Sequence, residues 1–214
     1  MTEHIPHDDH PDLVRLADAG EVVAYFGYGS LVNRHTLRTK FLGIRRAKVA
    51  GWRRFWLPRD PNVEMALLSV HPDAQEAIDG VVVYDRAEHL PSVDEREAGY
   101  ARRIVDLDHL GIENAPVGGV PIYIYQAQKG AETAADRQSA ILQSYLDAVM
   151  QGFRLLYGEV GLRRFVDRTE GFETRVLRDR RKPRYPRPVK LDAGEADLFD
   201  RLVLARGARF VDVA

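Results

Sequence analysis

Two short segments of the chain carry residue types whose spacing could do chemistry. The first is Tyr25-Phe26-Gly27-Tyr28-Gly29-Ser30-Leu31. Two glycines that follow an apolar run let the backbone turn tightly and come close to a ligand. Amide N–H groups exposed in such a turn can hold a carboxylate or a polarised carbonyl. The same heptapeptide reads equally well as an ordinary tight turn. It is a poor dinucleotide fingerprint, because Val32 stands where a third glycine belongs. Ser30 does not sit in a G-x-S-x-G elbow, so a serine hydrolase fits poorly.

The second segment is Val93-Asp94-Glu95-Arg96-Glu97-Ala98-Gly99-Tyr100. On a helix, Leu90, Val93 and Glu97 step by three and four, so one apolar stripe contains a carboxylate. A buried acid is costly unless it is paired or used. Glu97 is therefore either half of an ion pair, with Arg102 or Arg103 as partner, or a proton-transfer group whose pKa burial would raise towards neutrality. Asp94 and Glu95 are read as solvated residues of the first turn. Tyr100 follows Gly99 beside the acid, where its hydroxyl could orient Glu97 or a substrate.

Other polar clusters are weaker. Cysteine is absent, which excludes disulfides, thiolate metal sites and cysteine nucleophiles. His4, His7 and His10 are spaced by three but lie in a polar tail, and His35, His71, His89 and His109 show no ligand spacing. No metal site and no cofactor are expected. The run from Arg178 to Arg187 holds six basic residues. It reads as a solvated face, as a contact for RNA or an acidic partner, or as the source of one arginine, Arg184, at a pocket rim. Trp52, Phe55 and Trp56 read as core or pocket wall.

The elements that must position these groups follow from periodicity. Glu21 to Gly29 reads as a strand ending in the glycine loop. Ile44 to Leu57 holds one or two strands around Gly51. Met65 to His71 and Gly80 to Tyr84 read as strands joined by a hairpin connection over 72–79. A helix is expected over 86–98, with Pro91 in its first turn and Gly99 as its stop. Ala101 to Leu107 and Val120 to Ala127 return to strand pattern. A helix is expected from Asp136 to Tyr157, with Ile141, Tyr145 and Val149 on one face, and a shorter one over Val160 to Asp167. Thr169 to Val189 reads as irregular and 193–206 as a last helix. Strands do not alternate with crossover helices, which disfavours a doubly wound sheet. The fold expected is α+β: a curved, mostly antiparallel sheet or small β-barrel flanked by helices. Residues 1–12 are expected to form a flexible N-terminal tail and 13–214 a single domain with a C-terminal helical extension.

The chain has 214 residues, 45% of them hydrophobic, enough for one core. Its formal net charge of −1 gives no reason to expect a nucleic-acid partner. No apolar run reaches the length of a membrane span, and the start lacks a signal-peptide pattern, so no membrane partner and a cytoplasmic location are expected. Oligomeric state is not readable.

The two chemical segments, in this order and about 65 residues apart, resemble the γ-glutamylcyclotransferase superfamily, which includes ChaC-like and AIG2-like proteins. That family pairs a YGSL or YGSN loop after the first strand with an LDxRE or LDxQE helix. Here the loop is Tyr28-Gly29-Ser30-Leu31 and the helix carries Asp94 to Glu97, with Val93 in place of the usual leucine. Gly51-Trp52-Arg53-Arg54-Phe55 resembles the glycine–aromatic–arginine strand of the family. The Trp-x-Pro element that follows the loop in ChaC-type enzymes is absent; Asn33-Arg34-His35 stands there.

The resemblance implies a metal-independent enzyme with Glu97 as catalytic acid/base. It implies that Tyr28, Gly29, Ser30 and Leu31 hold the γ-glutamyl group, and that Tyr145 matches a pocket-lining helix tyrosine. The reaction implied cleaves a γ-glutamyl amide by attack of the substrate's own α-amino group, releasing 5-oxoproline and an amine or amino acid. No cofactor is needed, because the substrate supplies its nucleophile. The leaving group is left open by the sequence, including a larger carrier. The rival reading is a non-catalytic module that binds a small acidic metabolite in the same pocket. Glu97 weighs against it, since an anion binder would gain from losing that carboxylate.

Overall fold

The structure, a computed structural model, describes residues 9–37, 40–58, 65–114, 116–127 and 132–212, apart from the side chain of Arg96. Of the expected N-terminal tail, 1–8 lie outside the described residues. Residues 9–12 are joined to the body: the Arg45 guanidinium donates to the Asp9 carboxylate at 2.5 Å, and the His10 N–H donates to the Leu42 carbonyl at 2.7 Å. A short helix, α1 (Leu13–Asp18), follows and buries Leu13 and Leu16.

The central element is β1 (Val22–Gly27), in which all six residues are buried. A strand covered on both faces gains from a continuous apolar run rather than from alternation. β1 pairs antiparallel with β3 (Ala66–Arg86), from Val22 opposite Arg86 to Gly27 opposite Val81. It pairs parallel with β6 (Ile122–Ala127), with Tyr25 opposite Tyr123. β2 (Gly43–Pro58) pairs antiparallel with β3 from Gly43 opposite Tyr84 to Pro58 opposite Ala66. β4 (Tyr100–Ile104) lies on the outer side of β6, and β5 (Leu110–Ile112) and β8 (Thr169–Glu170) lie against β2. The order is β4-β6-β1-β3-β2-β5, an open, curved and mostly antiparallel sheet.

Two expectations change here. The segment 72–79 is no hairpin connection: β3 runs unbroken for 21 residues. Pro72 is tolerated because it faces Trp52 at the register shift beside Gly51, whose φ of +82° makes a bulge and opens the ladder. The helix expected from Asp136 is also divided. α3 spans only Ala134–Arg137, closed at its start by a Thr133–Asp136 capping box, and Gln138 turns left-handed at φ +54°. Ile141 then belongs to a two-residue strand, β7 (Ile141–Leu142), opposite Val176, and does not share a helix with Tyr145 and Val149.

α4 (Gln143–Asp167) is interrupted at Gly158, where φ is +68° and ψ −174°. Every residue from Gln143 to Phe153 is buried, so this half has no exposed face to give an amphipathic signal. The segment read as irregular contains β9 (Arg175–Arg178). α5 (Ala193–Ala205) starts at a second capping box, Asp192 with Glu195, and leads to β10 (Arg209–Asp212). β10, β9 and β7 make a second, parallel sheet. No helix among the described residues is long and apolar enough to cross a membrane.

α4 crosses the end of the glycine loop at Gly152. A Cβ there would lie 2.7 Å from the Asn33 backbone nitrogen and 2.9 Å from its Cα. Asn33 itself is fully buried, and its side-chain amide donates to the Ala148 carbonyl at 2.7 Å and to Gln151 at 3.1 Å. Alanine is favoured over glycine in a helix by about 1 kcal/mol, whereas forcing volume into a packed contact costs about 1–3 kcal/mol. Backbone atoms cannot rotate away, so the second effect wins. Gly152→Ala is expected to lower stability by up to about 2 kcal/mol in denaturant unfolding; a gain in stability would show that the loop shifts freely.

Candidate active site

The glycine loop leaves the end of β1 and enters a single 3₁₀ turn over Ser30–Val32. The N–H groups of Val32 and Asn33 are used inside the turn, on the carbonyls of Gly29 and Ser30. Those of Ser30 and Leu31 stand at its start, where a helical ladder makes no use of them. Gly29 lies close to the opposite wall: a Cβ there would lie 3.3 Å from the Tyr145 hydroxyl, which would have to give way slightly, and 3.6 Å from the Leu68 side chain.

The second segment forms α2 (Leu90–Arg96), preceded by a 3₁₀ turn at 87–89. Val93 is buried under it. Glu97 lies just past the last helical residue, as the cap, with φ −91° and ψ +23°. Its N–H donates to the Val93 carbonyl at 2.9 Å, and its carbonyl accepts from the Tyr100 N–H at 2.9 Å. Gly99, at φ +97°, turns the chain between them into β4. Glu97 therefore sits on a helix end that is fixed through its backbone, and its side chain is half-buried.

These elements meet at one cavity of about 710 Å³. Tyr28, Gly29, Ser30, Leu31, Glu97, Tyr100 and Tyr145 all line it. Tyrosines dominate the wall. The Tyr28 hydroxyl donates to the Tyr125 carbonyl at 2.6 Å, and the Tyr100 hydroxyl to the Leu68 carbonyl at 3.3 Å. Tyr145 packs edge-on against buried Trp56, ring centroids 5.8 Å apart, and 5.0 Å from the ring of Tyr185. Burial pushes the Tyr28 phenol well above its usual range, and the negative charges that Tyr100 and Glu97 can carry push it further. Burial, followed by Tyr185 and Tyr100, does the same to Tyr145. Burial and Asp94 raise Tyr125. These hydroxyls remain protonated near neutrality and can act as hydrogen-bond donors.

Several sequence readings are corrected by this geometry. Asp94 is exposed but not merely solvated: one carboxylate oxygen accepts from the Tyr125 hydroxyl at 2.7 Å and the other from Arg102 at 2.6 Å. Arg102, offered above as a partner of Glu97, thus pairs with Asp94, and its guanidinium lies over the ring of Tyr123 at 4.8 Å. Arg184 does not line the cavity; its backbone N–H donates to the Asp179 carboxylate at 2.9 Å. Arg187 is the arginine of the basic run that reaches the cavity, 3.4 Å from the Ser30 hydroxyl. Trp56 and Phe55 are core, and Trp52 is half-buried against it.

Tyr125, Tyr185 and Arg187 were not singled out by the sequence. For Tyr125 a signal existed, an aromatic in the strand after the acid helix; for Arg187 the basic run was the signal, but a segment without a period does not say which arginine faces the cavity, and for Tyr185 there was none. Among the described residues, no group of three or more His, Asp or Glu side chains is arranged to hold a metal ion.

Comparison with known proteins agrees with this architecture. The family model described as γ-glutamyl cyclotransferase, AIG2-like, matches residues 25–144, more than half of the chain. No curated protein matches it significantly. A solved γ-glutamyl cyclotransferase is 13% identical, covers 85% of this chain and 99% of its own, and superimposes with a TM-score of 0.50. An uncharacterized human protein is 14% identical over 84% of this chain and 99% of its own, with a TM-score of 0.49. A yeast γ-glutamyl cyclotransferase specific to glutathione is 16% identical over 68% and 86%, with a TM-score of 0.39. At such identities, structural likeness speaks of fold alone, and it is the family match spanning loop, acid helix and the start of α4 that places the chain in the γ-glutamyl cyclotransferase, AIG2-like family.

Proposed function

We propose that the protein is a γ-glutamylcyclotransferase, with Glu97 as its acid/base and the loop 28–31 as the cradle for the γ-glutamyl group. The observation that carries this reading is the convergence of that loop, Glu97 and the tyrosines Tyr28, Tyr100 and Tyr145 on one cavity. Glu97 takes a proton from the substrate's α-ammonium. The freed amine attacks the γ-carbonyl carbon and forms the C–N bond of a five-membered lactam. Charge gathers on the carbonyl oxygen, where the N–H groups at the start of the Ser30–Val32 turn and a tyrosine hydroxyl can hold it. Protonated Glu97 then gives its proton to the departing nitrogen and the old amide bond breaks; the ring nitrogen passes its remaining extra proton through the freed Glu97 carboxylate to the departing amine, and 5-oxoproline and an ammonium leave.

Well-oriented intramolecular attack reaches effective molarities on the order of 10⁵ M or more. The protein's share of the work is then to fold the substrate, move one proton and stabilise one oxyanion. Neither a metal nor a second nucleophile has a step to perform in this scheme. Tyr100, which follows the acid in β4 and whose hydroxyl points to the Leu68 carbonyl on the cavity wall, orients the substrate beside Glu97.

Glu97→Gln preserves shape and hydrogen bonding but cannot carry a proton. With 5-oxoproline as readout, turnover of γ-glutamyl compounds is expected to fall by about 10³–10⁴-fold with substrate binding retained. Glu95→Gln, exposed on α2, should change little. Wild-type turnover by Glu97→Gln would remove the residue from the mechanism, and retained binding by a wild-type protein inactive on every γ-glutamyl compound would favour a binding module.

Asp94→Asn is not a neutral control. Losing the charge weakens its bonds to the Tyr125 hydroxyl and Arg102, which tie α2 to β6 and β4. Turnover is expected to fall several-fold to about tenfold, less than the about 1.5–3 kcal/mol of a charge-assisted hydrogen bond because the Asp94–Arg102 pair is exposed and screened, with the pH profile of the remaining activity unchanged. A shifted profile would mean that Asp94 itself handles the proton.

A further inference from the structure

Arg187 and Glu97 are the two charged side chains among the described residues that line the cavity. Among the described residues no carboxylate lies within ion-pair distance of Arg187; its contacts are the Ser30 hydroxyl at 3.4 Å and the face of Tyr185 at 5.5 Å. A guanidinium held at a cavity without an anionic partner is a receptor for one.

The segment that carries it is built to present it. Pro186 and Pro188 flank Arg187 and restrict its backbone to an extended path. On one side the Tyr185 N–H donates to the Ser144 hydroxyl at 3.2 Å. On the other the Gln151 side chain donates to the Lys190 carbonyl at 2.9 Å. Ser144 and Gln151 are two turns apart on α4, so the strap is pinned along the helix that brings Tyr145 to the cavity. Buried Asp179 adds a further fixing point, accepting from the Ser144 hydroxyl at 2.5 Å and from the Arg184 N–H at 2.9 Å. Tyr185, under the guanidinium and more than nine-tenths buried, has a hydroxyl with no hydrogen-bond partner among the described residues.

We propose that Arg187 is the substrate-specificity residue of the cavity: it binds a carboxylate of the substrate, in register with an ammonium at Glu97. This rests on the cyclotransferase reading for the identity of the substrate, a zwitterionic γ-glutamyl compound. Such a compound offers two carboxylates, that of the glutamyl α-carbon and, when an amino acid departs, that of the leaving group. Arg187 lies outside residues 25–144, so this selectivity is added to the shared family unit by the C-terminal strap.

Three probes separate the sources: γ-glutamylglycine, the same dipeptide with the glycine carboxyl amidated, and the same with the glutamyl α-carboxyl amidated. Each is titrated calorimetrically into the wild-type protein, Arg187→Ala and Arg187→Lys, with 5-oxoproline release measured in parallel and unfolding curves confirming that the variants fold. Arg187→Ala should weaken γ-glutamylglycine binding by about 10–100-fold, the range of a charge-assisted hydrogen bond. Arg187→Lys should recover part of that loss. The Arg187→Ala effect should vanish on only one of the two amides, which names the carboxylate. A loss below twofold, an equal loss on both amides, or no binding of any probe by the wild-type protein would overturn the proposal. Binding coupled to Arg187 without 5-oxoproline release would leave the carboxylate site standing and reject the cyclotransferase reading instead.

Discussion

A relay of two tyrosine hydroxyls joins the loop to the acid. Tyr28 donates from the loop to the backbone carbonyl of Tyr125 on β6, and Tyr125 donates from its own side chain to Asp94 on α2. The first bond locks the end of β1 to its parallel neighbour beyond the last paired residues. The second fixes the helix whose cap is Glu97. The first bond is buried, and an unmade hydrogen bond in such a place costs more than a made one contributes; the second is part-buried. The geometry of the cavity is thus set by satisfying polar groups, while the apolar core beneath supplies most of the stability. The same burial keeps the Tyr28 and Tyr125 phenols protonated, so the groups that shape the cavity remain donors throughout the neutral range.

The buried half of α4 has a comparable role on the other wall. Its polar side chains point to the C-terminal third of the chain. Gln143 donates to Asp200, Asp147 pairs with Arg180 at 2.8 Å, and Gln151 reaches Lys190 and Glu195. Burial raises the pKa of Asp147 and the Arg180 guanidinium opposes that rise. Each contact ties α4 to the segment that follows it, which is why the strap with Arg187 has a fixed course despite its lack of regular structure. Arg54, on β2, works deeper in the same interface. Its guanidinium lies 4.8 and 5.0 Å from the rings of Phe153 and Phe165 and donates to the Asp79 carbonyl. Burial lowers its pKa to about 10, so it stays a cation at neutral pH. Asp79 in turn takes Arg164 on its carboxylate, and this ties the end of α4 to the middle of β3.

The sequence by itself determined the features that local chemistry controls. The apolar run from Glu21 to Gly29 reads as a strand that ends in a glycine turn. The acid segment had to end near Gly99, where a left-handed residue stops a helix cheaply. The caps at Asp192 and Thr133 are likewise local. Tertiary structure decided what depends on partners distant in the chain. β3 passes through Pro72 because a bulge in β2 removes the ladder bond that proline cannot make. Ile141 is extended because Val176 pairs with it, although its spacing from Tyr145 fits a helix equally well. Asp94 is engaged because Tyr125 and Arg102 come round on two other strands. Arg187 rather than Arg184 faces the cavity because Ser144 and Gln151 pin the strap between them. Side-chain spacing records which neighbours a residue has within one element; which element lies opposite is set by long-range pairing and burial, and no local period encodes it.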